Sequence, residues 1–381
     1  MLPPEEHTKN MRTTVAIIGG GLAGLYAGTL LHAAEIDFRL IEARDRLGGR
    51  ILSTGETGEP SHDGFDLGPS WFWPAMQPEL AALVRDLGLA TFPQHNDGDV
   101  IFERMSRETP WRYRATHQEP QSMRLAGGTA SLVSALAKHL PPESLFTGTS
   151  VKHMVLGAAK VSLTLAKADS SQDSLVAEQV IAAVPPRLLA NISLSPSVDP
   201  ATEQRWSDTP TWMAPHAKFF AIYDRPFWRD AGLSGTAQSF VGPLGEIHDA
   251  TTASGNAALF GFLGVDARVR TSLGEAALRK ACLDQLARLY GPQALRPRAT
   301  IFKDWAADPL TATADDRNGG THPEPSVAPW VTGAWQEHLS LGGSETSAAE
   351  PGYMAGALSA AGRAVTEVKQ RLRVHREEPE Q

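Results

Sequence analysis

Three glycines and one glutamate near the start of the chain have the types and spacing needed to bind a nucleotide. Gly19, Gly21 and Gly24 form a Gly-x-Gly-x-x-Gly pattern directly after the apolar run 15–18. The first glycine permits a tight turn, the second lets backbone N–H groups approach a pyrophosphate, and the third lets a helix pack closely on a strand. Glu42 lies 23 residues after Gly19, where a carboxylate can accept both hydroxyls of an adenosine ribose. This pattern predicts a dinucleotide-binding turn.

The elements that must position this turn follow from the spacing of apolar residues. These recur at helical spacing over 22–34, and the segment 38–41 has the composition of a strand. Leu22 and Ala23 would lie at the N-terminus of the helix, whose partial positive charge favours a phosphate. A glycine turn with only a structural role is the alternative when the glycines are considered alone. The order strand, turn, helix, strand favours the binding turn.

The residues after Glu42 indicate which dinucleotide is bound. Arg44 and Arg50 offer guanidinium groups to phosphate, and the glycine pair ending at Gly49 allows close backbone approach. A glycine turn with solvated arginines is the alternative. The segment from Glu42 through Ala43 to Arg50 resembles the second characteristic box of the flavin amine oxidase family, which contains monoamine oxidases, polyamine oxidases and L-amino-acid oxidases. The resemblance implies that the dinucleotide is FAD.

A second segment resembles the part of this family in which the chain passes close to the flavin ring. It contains Gly68, Pro69, Ser70 and Trp71. Glycine followed by proline suits a tight turn, and the N–H groups of Ser70 and Trp71 would reach the N5 and O4 edge of the flavin, where negative charge develops on reduction. The aromatic run 71–73 has a second interpretation, as a plug in the hydrophobic core.

Lys218 lies between apolar residues of a predicted strand, which is unusual because burying an ammonium is costly unless its charge is used. The segment 216–228 resembles the strand of the family whose lysine hydrogen-bonds through water to flavin N5. A surface lysine on an edge strand is the alternative. Trp305, at the end of another predicted strand, resembles an aromatic residue beside the flavin and is therefore a candidate wall of the site.

The end of the chain resembles the closing flavin-binding segment of the family. Its glycines and serine would contact the ribityl chain and phosphate, and a helix from about Tyr353 would direct its N-terminus at the flavin ring, which favours the anionic reduced form. The strand 150–152 resembles one that contacts the adenine through its backbone. The contacts implied here are Val151, Gly343, Ser344, Glu345, Tyr353 and Met354.

Two departures from the family concern the substrate pocket and the attachment of FAD. An aromatic cage in monoamine oxidases needs two rings that face each other over the flavin. Tyr353 matches one ring, but the second falls in the segment 313–316, which has no aromatic residue. The cage is therefore either half built or completed by Trp330 or Trp335. The only cysteine, Cys282, lies in a predicted helix far upstream of the position where some members tether FAD, so we expect FAD to bind non-covalently.

Composition limits the partners and the compartment. The 381 residues carry a net charge of -8 without a basic stripe, which argues against nucleic acid and anionic membranes and is compatible with a neutral or cationic small substrate. No run is long and apolar enough to span a bilayer, and one cysteine gives no sign of an oxidising compartment. We expect a soluble cytoplasmic protein with no metal, and a homodimer is possible.

The predicted fold class is α/β, with a Rossmann-like FAD-binding domain of the glutathione-reductase type and a discontinuous mixed-sheet α+β substrate domain. A chain of this length exceeds the usual size of one hydrophobic core. The predicted FAD-binding segments are 11–75, 122–205 and 330–374, the substrate-domain segments are 76–121 and 206–329, and flexible tails are expected at 1–10 and 375–381.

The resemblance implies an enzyme that removes a hydride equivalent from a carbon bearing an amine nitrogen. Flavin N5 would accept the hydride, the imine product would be hydrolysed, and oxygen would reoxidise the flavin to give H2O2. Lys218, Trp305 and Tyr353 are the candidate catalytic residues. The alternatives are a desaturase or porphyrinogen-type oxidase, whose families share the first and last boxes, and a non-catalytic flavin-binding partner protein.

Overall fold

A computed structural model describes residues 10–114, 119–169, 171–319 and 321–377. The described parts of 1–49, 133–212 and 321–381 form one compact unit, the first unit, and those of 50–132 and 213–320 form the second unit. Asn10, expected in a flexible tail, already begins a strand, and the last helix continues to Glu377. The remaining residues of the predicted tails lie outside the described residues.

The described residues form a mixture of strands and helices. The strands are β1 (Asn10–Ile18), β2 (Phe38–Ile41), β3 (Ser53–Thr54), β4 (Phe65–Asp66), β5 (Thr91–Pro93), β6 (Asp99–Glu103), β7 (Trp111–Arg114), β8 (Met123–Leu125), β9 (Leu145–Phe146), β10 (Thr149–Leu156), β11 (Val161–Lys167), β12 (Gln172–Ala182), β13 (Ser193–Ser195), β14 (Ala217–Tyr223), β15 (Leu233–Ser239), β16 (Leu244–Asp249), β17 (Ala257–Leu263), β18 (Ala299–Asp304) and β19 (Leu339–Leu341). The α-helices are α1 (Leu22–Ala33), α2 (Pro78–Asp86), α3 (Ala130–Lys138), α4 (Pro186–Leu189), α5 (Pro200–Asp208), α6 (Phe227–Asp230), α7 (Ala267–Leu273), α8 (Glu275–Tyr290) and α9 (Met354–Glu377). Within the described ranges, none of these helices combines the length and the apolar character needed to cross a membrane.

The first unit is built on a mixed sheet in the order β13-β10-β11-β12-β1-β2-β9, with β19 added beside β12. β1 pairs in parallel with both β12 and β2, and β19 pairs in parallel with β12. Residues 15–18 of β1 are buried on both faces, as expected for a parallel strand covered on two sides. Helix α1 packs against α9. The carboxyl ends of β2, β1, β12 and β19 consequently meet along one edge of this sheet.

The second unit contains a sheet in the order β18-β14-β17-β16-β15-β6-β7, antiparallel except for the parallel pair β15 and β6. Every residue of β14 is buried, because side chains on both of its faces meet a hydrophobic cluster. Phe219 belongs to the cluster on one face, which also contains Cys282 of α8. Phe220 belongs to the cluster on the other face, with Phe65 and Phe260. Lys218 has the same parity as Phe220, so the alternation of a strand directs both side chains to one face.

The boundaries of the two units differ from the predicted domain segments. The predicted FAD-binding segments include residues 50–75 and 122–132, which pack in the second unit through the strand pairs β3 with β4 and β5 with β8. Residues 206–212 and 321–329, expected in the substrate domain, lie in the first unit. Trp206, for example, is buried in the core of the first sheet. Which segments bind the cofactor remains a prediction.

Candidate cofactor and substrate site

The glycine turn lies at the carboxyl edge of the parallel strands of the first unit. A Cβ added to Gly19 would lie 2.8 Å from the carbonyl oxygen of Ala183, which follows β12. A Cβ on Gly343, after β19, would lie 2.5 Å from the carbonyl oxygen of Val184. Glycine therefore allows the segments after three neighbouring strands to meet closely. In open α/β sheets, ligands bind at this carboxyl edge.

The other two glycines of the pattern differ in what requires them. A Cβ on Gly24 would lie 1.9 Å from the carbonyl oxygen of Gly19, so α1 can pack on the turn only with glycine there. A Cβ on Gly21 would meet nothing closer than the carbonyl oxygen of Gly48, at 3.9 Å. Internal packing therefore leaves open space at Gly21. This space is a cradle that fits a pyrophosphate, which needs close approach to the backbone.

The Glu42 carboxylate is held in a defined orientation beside the turn. It is 4% exposed, its Oε2 accepts the N–H of Gly20 at 2.7 Å, and its Oε1 accepts the N–H of Arg44 at 2.8 Å. The Arg44 guanidinium lies 3.9 Å from Oε1. A carboxylate oxygen can accept two hydrogen bonds, so both oxygens retain capacity for hydroxyl donors. These two acceptor oxygens fit the ribose diol of a dinucleotide such as FAD.

The start of α1 and the loop after Glu42 complete this half of the candidate cofactor site. No side chain caps α1 among the described residues, and its first turn, which contains Leu22 and Ala23, has no acidic residue. The helix N-terminus thus retains its partial positive charge for an anion. Gly21 pairs with Gly48 in an isolated bridge, and Arg46 donates to the carbonyl oxygen of Gly49 at 2.9 Å.

The closing segment of the first unit folds around a buried glutamate. Glu345 has no exposed surface, and its Oε2 accepts the hydroxyl of Ser344 at 2.9 Å. Its Oε1 accepts the backbone N–H of Trp212 at 3.3 Å. Gly352 donates to the carbonyl oxygen of Ser344 and approaches Trp212 so closely that an added Cβ would lie 2.4 Å from the Trp212 Cβ. These contacts place Tyr353 immediately before α9, as expected.

Lys218 of the second unit is buried, and its ammonium is bound by one chain segment. Its Nζ donates to the carbonyl oxygen of Asp66 at 3.1 Å, the carbonyl oxygen of Gly68 at 2.6 Å and the hydroxyl of Ser70 at 3.0 Å. The side chain is 4% exposed, and β14 lies between β17 and β18. The alternative of a surface lysine on an edge strand is therefore wrong. The three acceptors match the three hydrogens of an ammonium group.

The surroundings of Lys218 make its charge easy to lose. Burial lowers the pKa of Lys218 to about 7, an effect that Asp66 opposes and Arg124 reinforces through their charges. The Nζ lies 4.6 Å from the ring centroid of Phe260 and 5.0 Å from that of Phe262, within range of cation–π attraction. A group with a pKa near neutrality can change its charge in the ordinary working range of an enzyme.

Asp66 carries a second role that the sequence did not indicate. Its Oδ1 accepts the hydroxyl of Ser53 at 2.6 Å and both the N–H and the hydroxyl of Thr129, at 2.7 and 2.9 Å. Its Oδ2 is buried without a hydrogen-bond partner in the described structure. The carboxylate therefore fixes the start of the segment whose carbonyl oxygens bind Lys218. The sequence contains only one local hint of this role, an aspartate two positions before Gly68.

The predicted neighbours of this segment lie against it. Trp305 donates its indole N–H to the carbonyl oxygen of Leu67 at 2.9 Å. The carbonyl oxygen of Pro69 accepts a hydrogen bond from Thr129 at 3.0 Å. A Cβ on Gly68 would lie 1.9 Å from the carbonyl oxygen of Arg50, so glycine is required where these two backbones meet. Lys218, Ser70 and Trp305 are thus brought together within the second unit.

Trp71 has features of both predicted roles of the aromatic run 71–73, a flavin contact and a plug in the hydrophobic core. Its indole N–H donates to Gln94 at 2.8 Å, and its ring contacts His248 edge-on at 4.8 Å and Phe260 at 5.6 Å. It packs against the cluster that contains Phe220, yet it is only partly buried. Its backbone N–H remains a candidate flavin contact by prediction.

The ring that faces Tyr353 is a histidine that the sequence interpretation missed. The ring centroids of His322 and Tyr353 are 5.3 Å apart, and Trp212 contacts His322 edge-on at 4.4 Å. Trp330 and Trp335, the expected replacements, are instead buried in the core of the first sheet. The expected position of the second ring, 313–316, lies before the glycine loop that precedes His322. The signal that could have identified His322 is that the imidazole of histidine is also an aromatic ring.

The remaining predicted contacts have simple structural positions. Val151 lies in β10 with its side chain buried in the core, which leaves its backbone for the predicted contact. Ala43 follows Glu42 directly, and Met354 is the first residue of α9. None of these positions by itself identifies a ligand.

Comparison with known families places the whole chain among flavoenzymes. The profile of the family described as "Flavin containing amine oxidoreductase" matches residues 104–369, and that of the NAD(P)-binding Rossmann-like domain matches residues 17–87. The chain is 23% identical to a probable flavin-containing monoamine oxidase A of Dictyostelium discoideum, over 94% of this chain and 98% of that protein. It is 24% identical to the putrescine oxidase of Kocuria rosea, over 83% and 88% of the two chains.

Solved structures share the same fold. A wild-type putrescine oxidase bound to putrescine superposes with a TM-score of 0.76 at 20% identity, covering 95% of this chain and all of that chain. The cyclohexylamine oxidase from Brevibacterium oxydans superposes with a TM-score of 0.75 at 20% identity, covering 95% and 99%. The predicted fold class, a Rossmann-like domain with a mixed-sheet substrate domain, is confirmed.

Replacing Glu42 with alanine should weaken FAD binding without unfolding the protein. The loss of one charge-assisted acceptor pair for the ribose is expected to cost about 1–3 kcal/mol of binding free energy. FAD retained after gel filtration and the FAD dissociation constant measure this effect. The matched control is Asp37→Ala, because Asp37 also accepts a backbone N–H, from Thr14, but lies before β2. Equal FAD affinity in Glu42→Ala and wild type would remove Glu42 from the ribose.

Proposed function

Because the chain belongs to the flavin-containing amine oxidoreductase family, we propose that this FAD-dependent enzyme oxidises the C–N bond of a small amine to an imine, with oxygen as electron acceptor. The observation that carries this proposal is the buried Lys218 ammonium on the segment that resembles the flavin-contacting part of the family. Relatives named as monoamine and putrescine oxidases support an amine as substrate. The net charge of -8 is compatible with a cationic amine in solution.

FAD is proposed to bind non-covalently in the first unit, through the turn at Gly21, the Glu42 carboxylate and the segment at Gly343. Bound FAD supplies the chemistry of the reaction by accepting a hydride equivalent from the carbon next to nitrogen. The only thiol of the chain, Cys282, is completely buried among core residues of the second unit, and burial raises its pKa to about 12. A buried thiol of this kind is inert. FAD should therefore leave the denatured chain intact.

The protein contributes orientation and a dry aromatic surface more than acid or base chemistry. An amine must lose its ammonium proton before a hydride equivalent can leave the neighbouring carbon, so a neutral amine is the reactive form. The Tyr353 ring, 37% exposed beside His322, is proposed to position the substrate nitrogen. Ring contacts of this kind contribute mainly through positioning.

Lys218 is proposed to assist the reaction with oxygen. Electron transfer to oxygen creates negative charge, which a positive charge fixed in a low-dielectric environment stabilises better than water does. The three hydrogens of the Lys218 ammonium are already bound to Asp66, Gly68 and Ser70. In this arrangement Lys218 contributes its positive charge. It also holds the segment from Asp66 to Ser70 in position. A contact between Lys218 and the flavin through a water molecule would require the ammonium to exchange one of these three acceptors for that water.

The proposed function is tested by mixing the oxidised, FAD-loaded protein with amines in the absence of oxygen. A panel of primary, secondary and amino-acid amines should include compounds that bleach the flavin absorbance and yield the corresponding aldehyde, ketone or oxo acid. Desaturase and porphyrinogen substrates serve as the comparison set. Bleaching only by the comparison set would favour the alternative enzymes, and bleaching by neither set would favour a non-catalytic flavin-binding protein.

Replacing Lys218 with methionine should slow reoxidation by oxygen and leave anaerobic reduction largely intact. Methionine keeps an unbranched side chain and removes the charge. We expect reoxidation to slow by at least about tenfold, the equivalent of roughly 1.4 kcal/mol in the barrier. Stopped-flow measurements of the two half-reactions separate these effects.

The pH dependence of reoxidation tests whether the charge of Lys218 causes this effect. Because the pKa of Lys218 is lowered to about 7, wild-type reoxidation should be fast below this pH and fall as the pH rises through it. In Lys218→Met the reoxidation rate should not fall as the pH rises through 7. Lys280 of α8 is an exposed lysine that pairs with Asp284, so Lys280→Met is the control for loss of a lysine charge and should behave as wild type. Equal reoxidation rates in Lys218→Met and wild type at pH 6 would contradict the proposal.

A further inference from the structure

Three rings of the first unit form one cluster at the start of α9. Trp212 contacts His322 edge-on, with ring centroids 4.4 Å apart and an interplanar angle of 68°. His322 and Tyr353 are 5.3 Å apart at 39°, and Trp212 and Tyr353 are 6.3 Å apart at 44°. Each ring thus touches the other two. The cluster is attached to the candidate cofactor segment, because the backbone N–H of Trp212 donates to Glu345.

The hydrogen bonding of His322 determines which ring nitrogen can receive a ligand. Its Nδ1 lies 2.8 Å from the carbonyl oxygen of Pro323. A carbonyl oxygen can only accept, so Nδ1 must carry the hydrogen. In the neutral imidazole, Nε2 then has a free lone pair and no hydrogen. Nε2 is therefore an acceptor that can bind only a donor.

The acceptor at Nε2 has no donor in the structure. Nε2 is buried and has no hydrogen-bond partner among the described residues. A buried polar atom without a partner is unfavourable, and most such atoms in proteins are satisfied by protein, water or ligand. The ring faces of Trp212 and Tyr353 next to His322 are apolar, the Trp212 indole is a donor only, and the Tyr353 hydroxyl is the one group of these two side chains that can accept a hydrogen bond. The geometry favours a ligand that is apolar and carries an N–H or O–H group.

We propose that His322 Nε2 accepts a hydrogen bond from the N–H group of the substrate amine, which makes His322 a specificity-determining residue for primary and secondary amines. This inference rests on the proposed amine oxidation. A neutral primary amine has two N–H groups and a secondary amine has one, whereas a neutral tertiary amine has none. A tertiary amine would leave Nε2 unsatisfied and place an N-methyl group against it. The hydrogen bond also directs the nitrogen, and with it the neighbouring C–H bond, in one orientation.

The first test uses the wild-type, FAD-loaded protein and three sets of amines. Cyclohexylamine, benzylamine and n-butylamine are each compared with their N-methyl and N,N-dimethyl derivatives by anaerobic flavin reduction. Concentrations are expressed as free base, since N-methylation changes the pKa of the amine itself. The primary and N-methyl forms should exceed the N,N-dimethyl form at least tenfold in kcat/KM. Equal kcat/KM for tertiary and primary forms would overturn the inference.

The second test separates the ring from the acceptor. His322→Phe keeps an aromatic ring and removes Nε2, whereas His322→Gln removes the ring and keeps a side-chain acceptor. The preference for primary over tertiary amines should fall to within about threefold in His322→Phe, mainly through slower reduction by primary amines. It should remain above about fivefold in His322→Gln. A preference unchanged in His322→Phe would show that His322 is structural.

The third test reads binding directly and does not depend on turnover. Protein labelled with nitrogen-15 in histidine is titrated with 2-phenylpropan-2-amine, which cannot be oxidised because its nitrogen-bearing carbon has no hydrogen. The Nε2 resonance of His322, assigned by its loss in His322→Gln, should shift on binding this amine but not on binding its N,N-dimethyl derivative. The same shift with both compounds would contradict the hydrogen bond.

The outcomes distinguish the inference from the function on which it rests. If amines reduce the flavin but show no dependence on N–H groups, the inference fails and amine oxidation stands. If no amine reduces the flavin and none shifts the His322 resonance, both fail. Loss of FAD from His322→Phe together with a wild-type preference in His322→Gln would assign His322 to the cofactor instead.

Discussion

Burial of the Lys218 ammonium is the constraint around which the second unit is arranged. A charged amine inside a sheet must have its hydrogens bound, and the segment from Asp66 to Ser70 supplies all three acceptors. That segment can turn toward the lysine only because Gly68 admits the backbone of Arg50 and because the Asp66 carboxylate is fixed by Thr129. Loss of any one of the three acceptors would leave one hydrogen of a buried ammonium without a partner. The requirement ties together parts of the chain that are about 150 residues apart in sequence.

The candidate cofactor site of the first unit depends on different groups. Its candidate groups are backbone N–H groups at the ends of parallel strands and one carboxylate, and glycine makes them accessible. Glu42 is oriented by N–H groups of Gly20 and Arg44, its neighbours in the turn and loop. A site assembled from the ends of adjacent strands needs few specific side chains. Such a site would recognise the charged and hydroxyl-rich parts of a dinucleotide, and the choice of substrate would depend on other residues.

This difference explains which features could be predicted from the sequence. The turn at Gly19, helix α1 and strand β2 are local, so glycine spacing and hydrophobic periodicity were sufficient to predict them. The predicted helix around Cys282 is likewise present, as α8. The partners of Lys218 could not be predicted from pattern, since they lie 148 to 152 positions away. His322 could not be predicted from the family spacing, because it lies beyond the segment 313–316 in which the second ring is expected. Only the packing against Trp212 and Tyr353 identifies it as a ring of the cluster.

The most direct test of this account is the titration of Lys218 itself. Lysine side chains labelled with carbon-13 at Cε would be followed by NMR in the oxidised, FAD-loaded protein, and Lys218→Met would assign the resonance. Burial lowers the pKa of Lys218 to about 7, so one lysine should titrate near neutrality while the exposed lysines titrate near the ordinary value of about 10.4. A spectrum in which every lysine titrates above about pH 9.5 would contradict the buried ammonium on which the account depends.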